Sequence, residues 1–191
     1  MEPDAGSDAI NVKRSIPINV PNTVTLLRIL LTPLFAICLI KHLLSLALLV
    51  FAMAAVSDSL DGLIARLFRQ KTTLGAYLDP AADKLLLATA FVTLAIQELI
   101  PSWLAVIVIT RDVLIVFGIA LFIITRREFQ PEPSILSKTT TVAQLASVLA
   151  VLVGYQAPRI AQVQGPLFWL AAGITIVSGF QYIYRGLDIL Q

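Results

Sequence analysis

From Thr23 onward the chain is a series of apolar runs separated by short polar or helix-breaking segments. A helix that crosses a bilayer needs about 20 mainly apolar residues. Six runs approach that length: Thr23–Ile40, Leu43–Leu60, Asp79–Ile96, Ser102–Thr125, Lys138–Tyr155 and Pro166–Tyr184. Turns are expected at Lys41-His42, across Glu98 to Ser102, across Gln130 to Ser134 and at Gln164-Gly165-Pro166, where polar residues, Gly and Pro interrupt the pattern. Asn22 is placed to cap the first helix. Small residues at Ala52, Ala54 and Ala55 suit close helix packing. Trp103 and Trp169 fall near one set of helix ends, Tyr182 and Tyr184 near the other, as in an aromatic belt. The expected fold is an all-α integral membrane protein of six transmembrane helices, one domain over residues 17–191.

The first 16 residues differ. Glu2, Asp4, Gly6, Ser7 and Asp8 make a polar, mildly acidic tail, without the basic-then-apolar order of a secretory signal. A disordered lead is expected there, with Ile16–Val20, broken by Pro17, along the membrane surface. No internal repeat is visible.

Composition agrees with a lipid setting. Hydrophobic residues make up 58% and charged residues 14%, and mean hydropathy is +0.87, too apolar for a soluble domain of this length. Net charge is only +2, so its distribution matters more than its total. Lys13, Arg14, Arg66, Arg69, Lys71, Arg126, Arg127, Lys138 and Arg185 fall on one side, against Lys41 and Arg159 on the other. The positive-inside rule then puts both termini and the segment between the second and third runs on the cytoplasmic side; the expected location is a bacterial inner membrane. The basic residues hug the membrane and lack an extended polar domain, which argues against nucleic-acid binding. Cys38 and His42 are each the only residue of their type, so neither a disulfide within the chain nor a histidine metal site is expected.

Four aspartates break the apolar pattern within one segment: Asp58, Asp61, Asp79 and Asp83. A carboxylate in hydrocarbon costs roughly 2.5–3.5 kcal/mol on insertion scales, so each needs a partner or a task. Asp58 and Asp61 are three apart and Asp79 and Asp83 four apart, so each pair shares a helix face. With a short connection between the helices, both pairs can converge at the cytoplasmic end. Four carboxylates at one point do not all stay ionised without cations. Oxygen ligands of this type suit Mg²⁺, Mn²⁺ or Ca²⁺ rather than zinc. Two such ions could clamp a diphosphate and activate a hydroxyl. Gly62 allows close approach to the helix, and Arg66 can pair with phosphate oxygens. The structural alternative is that Asp79, preceding Pro80, caps a helix and Arg66 pairs with one aspartate.

The pattern Asp58-x-x-Asp61-Gly62-x-x-Ala65-Arg66, eight residues, then Gly75-x-x-x-Asp79-x-x-x-Asp83 resembles the signature of the CDP-alcohol phosphatidyltransferases. The resemblance implies membrane enzymes of six transmembrane helices that move a phosphatidyl or related group from a CDP-linked donor to an alcohol and release CMP. Asp58, Asp61 and Asp79 would be metal ligands. Asp83 would be a ligand, the general base, or both. Asp58, Asp61, Gly62, Ala65, Arg66 and Gly75 would line the CDP site. The cofactors expected are Mg²⁺ or Mn²⁺, as two ions, and the resemblance also implies a homodimer. Asn22 to Arg28, Arg111-Asp112 and Ser137-Lys138-Thr139 look like the members that make phosphatidylglycerophosphate and the CMP-forming cardiolipin synthases.

Three further cations lie in apolar surroundings: Arg28, Arg111 and Lys138. Arg111 lies nine residues into its run, about 13 Å from the start at 1.5 Å per residue. Asp112 is expected to point elsewhere, since neighbours in sequence do not face each other on a helix. Lys84 is read as reaching toward headgroups. Arg111 and Lys138, with Arg28 as a third contact, are expected to line a polar cavity open to the cytoplasm and bind the phosphate of the acceptor. A salt bridge from Arg111 to a site aspartate is the alternative. The expected donor is CDP-diacylglycerol and the expected acceptor glycerol-3-phosphate. Phosphatidylglycerol, also a phosphate, and inositol phosphate are the other acceptors considered. A divalent-cation or proton transporter would spread its acidic residues along a pathway, often in two related halves; a scaffold would tolerate their loss.

Overall fold

A computed structural model of the chain describes residues 20–68, 73–124 and 135–190, with side chains over 25–57, 81–118 and 135–186. Among the described residues the fold is wholly helical: α1 (Val20–Ile40), α2 (Leu44–Phe68), α3 (Thr73–Ile96), α4 (Ser102–Ile124), α5 (Ile135–Gly154) and α6 (Pro158–Leu190). The N-terminal tail, residues 16–19 of the Ile16–Val20 segment and the loop residues Arg69, Lys71, Arg126 and Arg127 lie outside the described residues, while Val20 already belongs to α1.

The six runs of the sequence are six helices, and the differences are at their ends. Helix α1 starts at Val20, so Asn22 lies in its first turn and is not its cap. Pro21 is tolerated there, where the missing N–H would have had no intrahelical partner. Helix α2 continues to Phe68 and α3 begins at Thr73. Asp79 is therefore inside α3, and the capping alternative fails. Gln164-Gly165-Pro166 is not a turn: α6 begins at Pro158 and runs through Pro166. Pro158 stands at the first helical position, which its fixed φ suits. Gln164 is held by donating from Nε2 to the Ala150 carbonyl of α5 at 2.9 Å.

Helices α1 and α3 both end in the same way. The N–H of Leu43 donates to Cys38 and that of His42 to Leu39, both at 2.8 Å. The N–H of Leu99 donates to Leu94 and that of Glu98 to Ala95, at 2.9 and 3.1 Å. This double bond pattern is a Schellman cap, which needs a left-handed residue at its hinge. His42 (φ 56°) and Glu98 (φ 58°) fill that position. His42 therefore shapes a helix end.

The described turns gather at one end of the bundle. Gln97 Nε2 donates to the Leu39 carbonyl, and Gln156 Nε2 donates to Ser45 Oγ at 3.2 Å, tying the three turns together. Trp103 and Trp169 stack at this end with ring centroids 4.7 Å apart. Helix α1 packs on α2 and α3, α6 on α4 and α5, and α3 on α4 and α5. Phe35 and Phe51, both fully buried, meet with ring centroids 5.4 Å apart in a core that also holds the fully buried Ala47, Ala54 and Ala90.

The bundle is apolar outside and partly polar inside. Leu30, Val106, Phe117 and Phe180 are all more than 60% exposed. Thr25, Arg28, Thr32, Thr93, Arg111, Thr140, Gln144, Ser147, Thr175 and Ser178 are buried. A water-facing monomer rarely presents so continuous an apolar surface; lipid accepts it. Ile135–Gly154 and Pro158–Gly186 are each long and apolar enough to cross a bilayer.

Candidate functional site

The aspartate segment follows from two helix registers. Asp58, Asp61, Gly62, Ala65 and Arg66 all lie on α2; Gly75, Asp79 and Asp83 lie on α3. The connection between them spans residues 69–72 alone. Asp61 lies seven residues before the end of α2 and Asp79 six after the start of α3, about 10 and 9 Å by helix rise. Asp58 and Asp83 each lie ten residues from the same ends, about 15 Å. Counted along its own helix, Asp61 on α2 and Asp79 on α3 thus lie about equally far from the facing helix ends, and so do Asp58 and Asp83. Their donor chemistry, four carboxylates, fits hard divalent cations. The side chains from Asp58 to Asp79 are outside those described; Asp83 is within them.

Asp83 meets Arg28. Arg28 Nη1 donates to Asp83 Oδ1, joining α1 to α3. The Arg28 side chain is only 2% exposed, whereas that of Asp83 is 42% exposed. A buried guanidinium needs a counter-charge, because removing an ion from water costs several kcal/mol even after relaxation. Asp83 supplies it while keeping its carboxylate at an open edge. The structure therefore brings Arg28, expected at the acceptor phosphate, to the aspartate segment.

The next residue starts a second cluster. Lys84 Nζ donates to Asp112 Oδ1 at 2.5 Å, joining α3 to α4. Arg111 Nη1 donates to that same oxygen at 2.8 Å. Arg111 Nη2 donates to Ser137 Oγ on α5 and Ser178 Oγ on α6, each at 3.0 Å. The expectation that Asp112 turns away from Arg111 is corrected. Backbone directions one residue apart do diverge, but an arginine side chain is long enough to curl back to its neighbour. Lys84 likewise pairs across helices rather than simply reaching outward. The alternative of a salt bridge from Arg111 to one of the four aspartates is not seen among the described residues. Lys138 is exposed on the first turn of α5, one residue after Ser137.

Consecutive positions on a helix differ by about 100° of rotation. Asp83 thus faces α1 while Lys84 faces α4. One turn of α3 carries a half-exposed carboxylate and links it to a clamp of two cations. Ser137 contributes a hydroxyl that its place in the Ser137-Lys138-Thr139 match hinted at. Ser178 had no such signal: a lone serine in an apolar run reads as packing.

Arg111 also borders a groove with mostly apolar walls. A groove of about 400 Å³ between α4 and α6 is lined by Val106, Thr110, Arg111, Leu114, Phe180 and Ile183 among others. A Cβ built on Gly179 would meet Arg111 Cγ at 3.6 Å, so the arginine's stem forms the wall there while its head points into the cluster.

The profile of CDP-alcohol phosphatidyltransferase matches residues 18–177. The human "Cardiolipin synthase (CMP-forming)" is 32% identical over 194 aligned positions, covering 92% of this chain and 64% of that protein. The chain thus spans just under two thirds of that relative. The Bacillus subtilis (strain 168) "CDP-diacylglycerol--glycerol-3-phosphate 3-phosphatidyltransferase" is 31% identical, covering 91% of this chain and 97% of that protein. A Pseudomonas fluorescens protein of the same name is 34% identical over 86% of this chain and 88% of its own length.

Proposed function

This chain belongs to the CDP-alcohol phosphatidyltransferase family, and from that premise we propose that it transfers the phosphatidyl group of CDP-diacylglycerol to glycerol-3-phosphate and releases CMP. The observation that carries the reading is the turn of α3 at Asp83 and Lys84. It joins a carboxylate able to take a proton to cations able to hold a phosphate.

In the proposed reaction the acceptor hydroxyl oxygen forms a bond to the β-phosphorus of the donor. The bond from that phosphorus to the oxygen of CMP breaks, and CMP leaves with the electron pair. The hydroxyl proton passes to the Asp83 carboxylate, which a general base within hydrogen-bond reach can accept. Arg28 orients Asp83 and lowers the cost of its charge. Arg111 and Lys138 hold the acceptor's phosphate, and Arg66 contacts the phosphates of the donor. Gly62, Ala65 and Gly75 let the nucleotide approach the helices closely. Asp58, Asp61, Asp79 and Asp83 would hold Mg²⁺ or Mn²⁺, two ions in this reading. Such ions neutralise phosphate charge and make CMP a better leaving group. In-line transfer in a ternary complex, without a covalent enzyme intermediate, is the simplest course.

We place all six helices across the membrane, with the aspartate segment and both termini on the cytoplasmic side, and take the protein to act as a homodimer. Basic residues on one side support the orientation. The transporter reading has no support from the clustering of the aspartates at one depth range.

Phosphatidylglycerol as acceptor is the second reading. It draws support from the human cardiolipin synthase relative and from the largely apolar groove that reaches the stem of Arg111. Purified protein in detergent, given CDP-diacylglycerol and Mg²⁺ or Mn²⁺, should release CMP when glycerol-3-phosphate is added. Product with phosphatidylglycerol alone would move the assignment to the second acceptor and keep the chemistry.

A further inference from the structure

We propose that Asp112 is a positioning residue for the acceptor phosphate and that Lys84 completes the phosphate site. The inference rests on the phosphatidyltransferase reading above and extends its acceptor pocket.

A single oxygen, Asp112 Oδ1, accepts from Lys84 Nζ at 2.5 Å and from Arg111 Nη1 at 2.8 Å. The two cationic groups therefore stand no farther apart than those two distances laid end to end. Without the carboxylate between them, two cations at this separation in a low-dielectric interior would repel each other. With it, they form a ready pair that can share one phosphate group. Arg111 cannot swing away, because Ser137 and Ser178 hold its other terminal nitrogen from α5 and α6. Lys84 has more freedom: its stem is flexible, and an ammonium is a point charge without a fixed fork.

Exposure is graded through the cluster. The side chains are 33% exposed at Lys84, 14% at Asp112 and 7% at Arg111. An incoming phosphate meets Lys84 first and Arg111 deepest. Lys84 follows Asp83 on the same turn of α3, about 100° round the helix, so an acceptor whose phosphate is held at Lys84 has to reach round that turn to the proposed base. The competing account is purely structural, with Asp112 only neutralising a buried arginine. It makes Lys84 dispensable.

The test compares full-length wild type, Lys84→Met, Lys84→Arg and Asp112→Asn in detergent. Lys84→Met leaves the Asp112–Arg111 pair in place, so it reports even if Asp112→Asn fails to fold. Loss of one charge-assisted hydrogen bond predicts roughly a tenfold rise in KM for glycerol-3-phosphate. The KM for CDP-diacylglycerol should stay within about twofold, and Lys84→Arg should restore most of the loss. An unchanged acceptor KM in Lys84→Met, or an equal rise for both substrates, overturns the proposal. A second readout needs no turnover: inorganic phosphate should raise the melting temperature of wild type and not of Lys84→Met. If wild type releases no CMP with any acceptor, the function reading fails, and the phosphate shift alone then decides the site. An equal shift in wild type and Lys84→Met overturns it.

Discussion

Asp83 and Arg111 are two charges within largely apolar helices, and each is held by a different device. Asp83 is half-exposed and pairs with a buried arginine. Asp83→Asn keeps the size and a hydrogen-bond acceptor but removes the base, so kcat should fall at least about a hundredfold. The check is CMP release by protein that remains folded and monodisperse; the melting temperature should fall as well, because the buried Arg28 loses its counter-charge. Arg111 is buried under three partners from three helices. Arg111→Ala should raise KM for a phosphorylated acceptor by about 10- to 100-fold, the loss expected for hydrogen bonds to a charged group; steady-state kinetics at fixed CDP-diacylglycerol measures it. The aspartates and Arg111 were legible in the sequence because charge in an apolar run needs a reason. The partners were not. Backbone direction alone turns Asp112 away from Arg111, a lysine such as Lys84 reads as reaching toward headgroups, and Ser178 has no chemical signal of its own. Which of these meet is decided by how α3, α4, α5 and α6 pack.

At the scale of helices, the number and kind of elements follow from the apolar runs, while their ends do not. Asp79-Pro80 and Gly165-Pro166 both read as boundaries, and both lie inside helices. In water a proline inside a helix is costly; within a membrane bundle, neighbouring helices and local adjustment meet the freed backbone groups. The caps show the converse. The turn after α1 was visible as Lys41-His42, but nothing marked His42 as the left-handed hinge. Most such hinges are glycine, since other residues pay roughly 1–2 kcal/mol there. His42→Gly should therefore stabilise the protein by about 0.5–1 kcal/mol, seen as a higher melting temperature in detergent with activity retained. Gly118 makes the opposite case: a Cβ there would lie 2.8 Å from the Tyr182 ring, whose hydroxyl donates to the Ile115 carbonyl at 3.2 Å. Gly118→Leu should push α4 from α6 and cost about 1–3 kcal/mol, as overpacking does; the melting temperature of the purified variant checks it.

Among the described residues the molecule is a helical bundle with large apolar side chains on its outer surface and a set of buried polar and charged side chains inside. That arrangement was implied by composition, and charge asymmetry gave it a direction. In the proposed orientation the turns at 41–43, 97–101 and 155–157 face away from the cytoplasm. In a Cys38→Ala background, His42→Cys should react with an impermeant maleimide from outside intact cells, and Arg127→Cys only after the membrane is opened. The reverse pattern would turn the topology over and place the aspartates on the wrong side for a cytoplasmic nucleotide donor.

The most direct measurement is CMP release by the purified chain from CDP-diacylglycerol and glycerol-3-phosphate, with Mg²⁺ or Mn²⁺ and with chelator, for wild type and Asp83→Asn. The account predicts metal-dependent CMP release in step with lipid product by wild type, and near-complete loss in Asp83→Asn. CMP release that ignores the chelator, or that survives Asp83→Asn in folded protein, would contradict it.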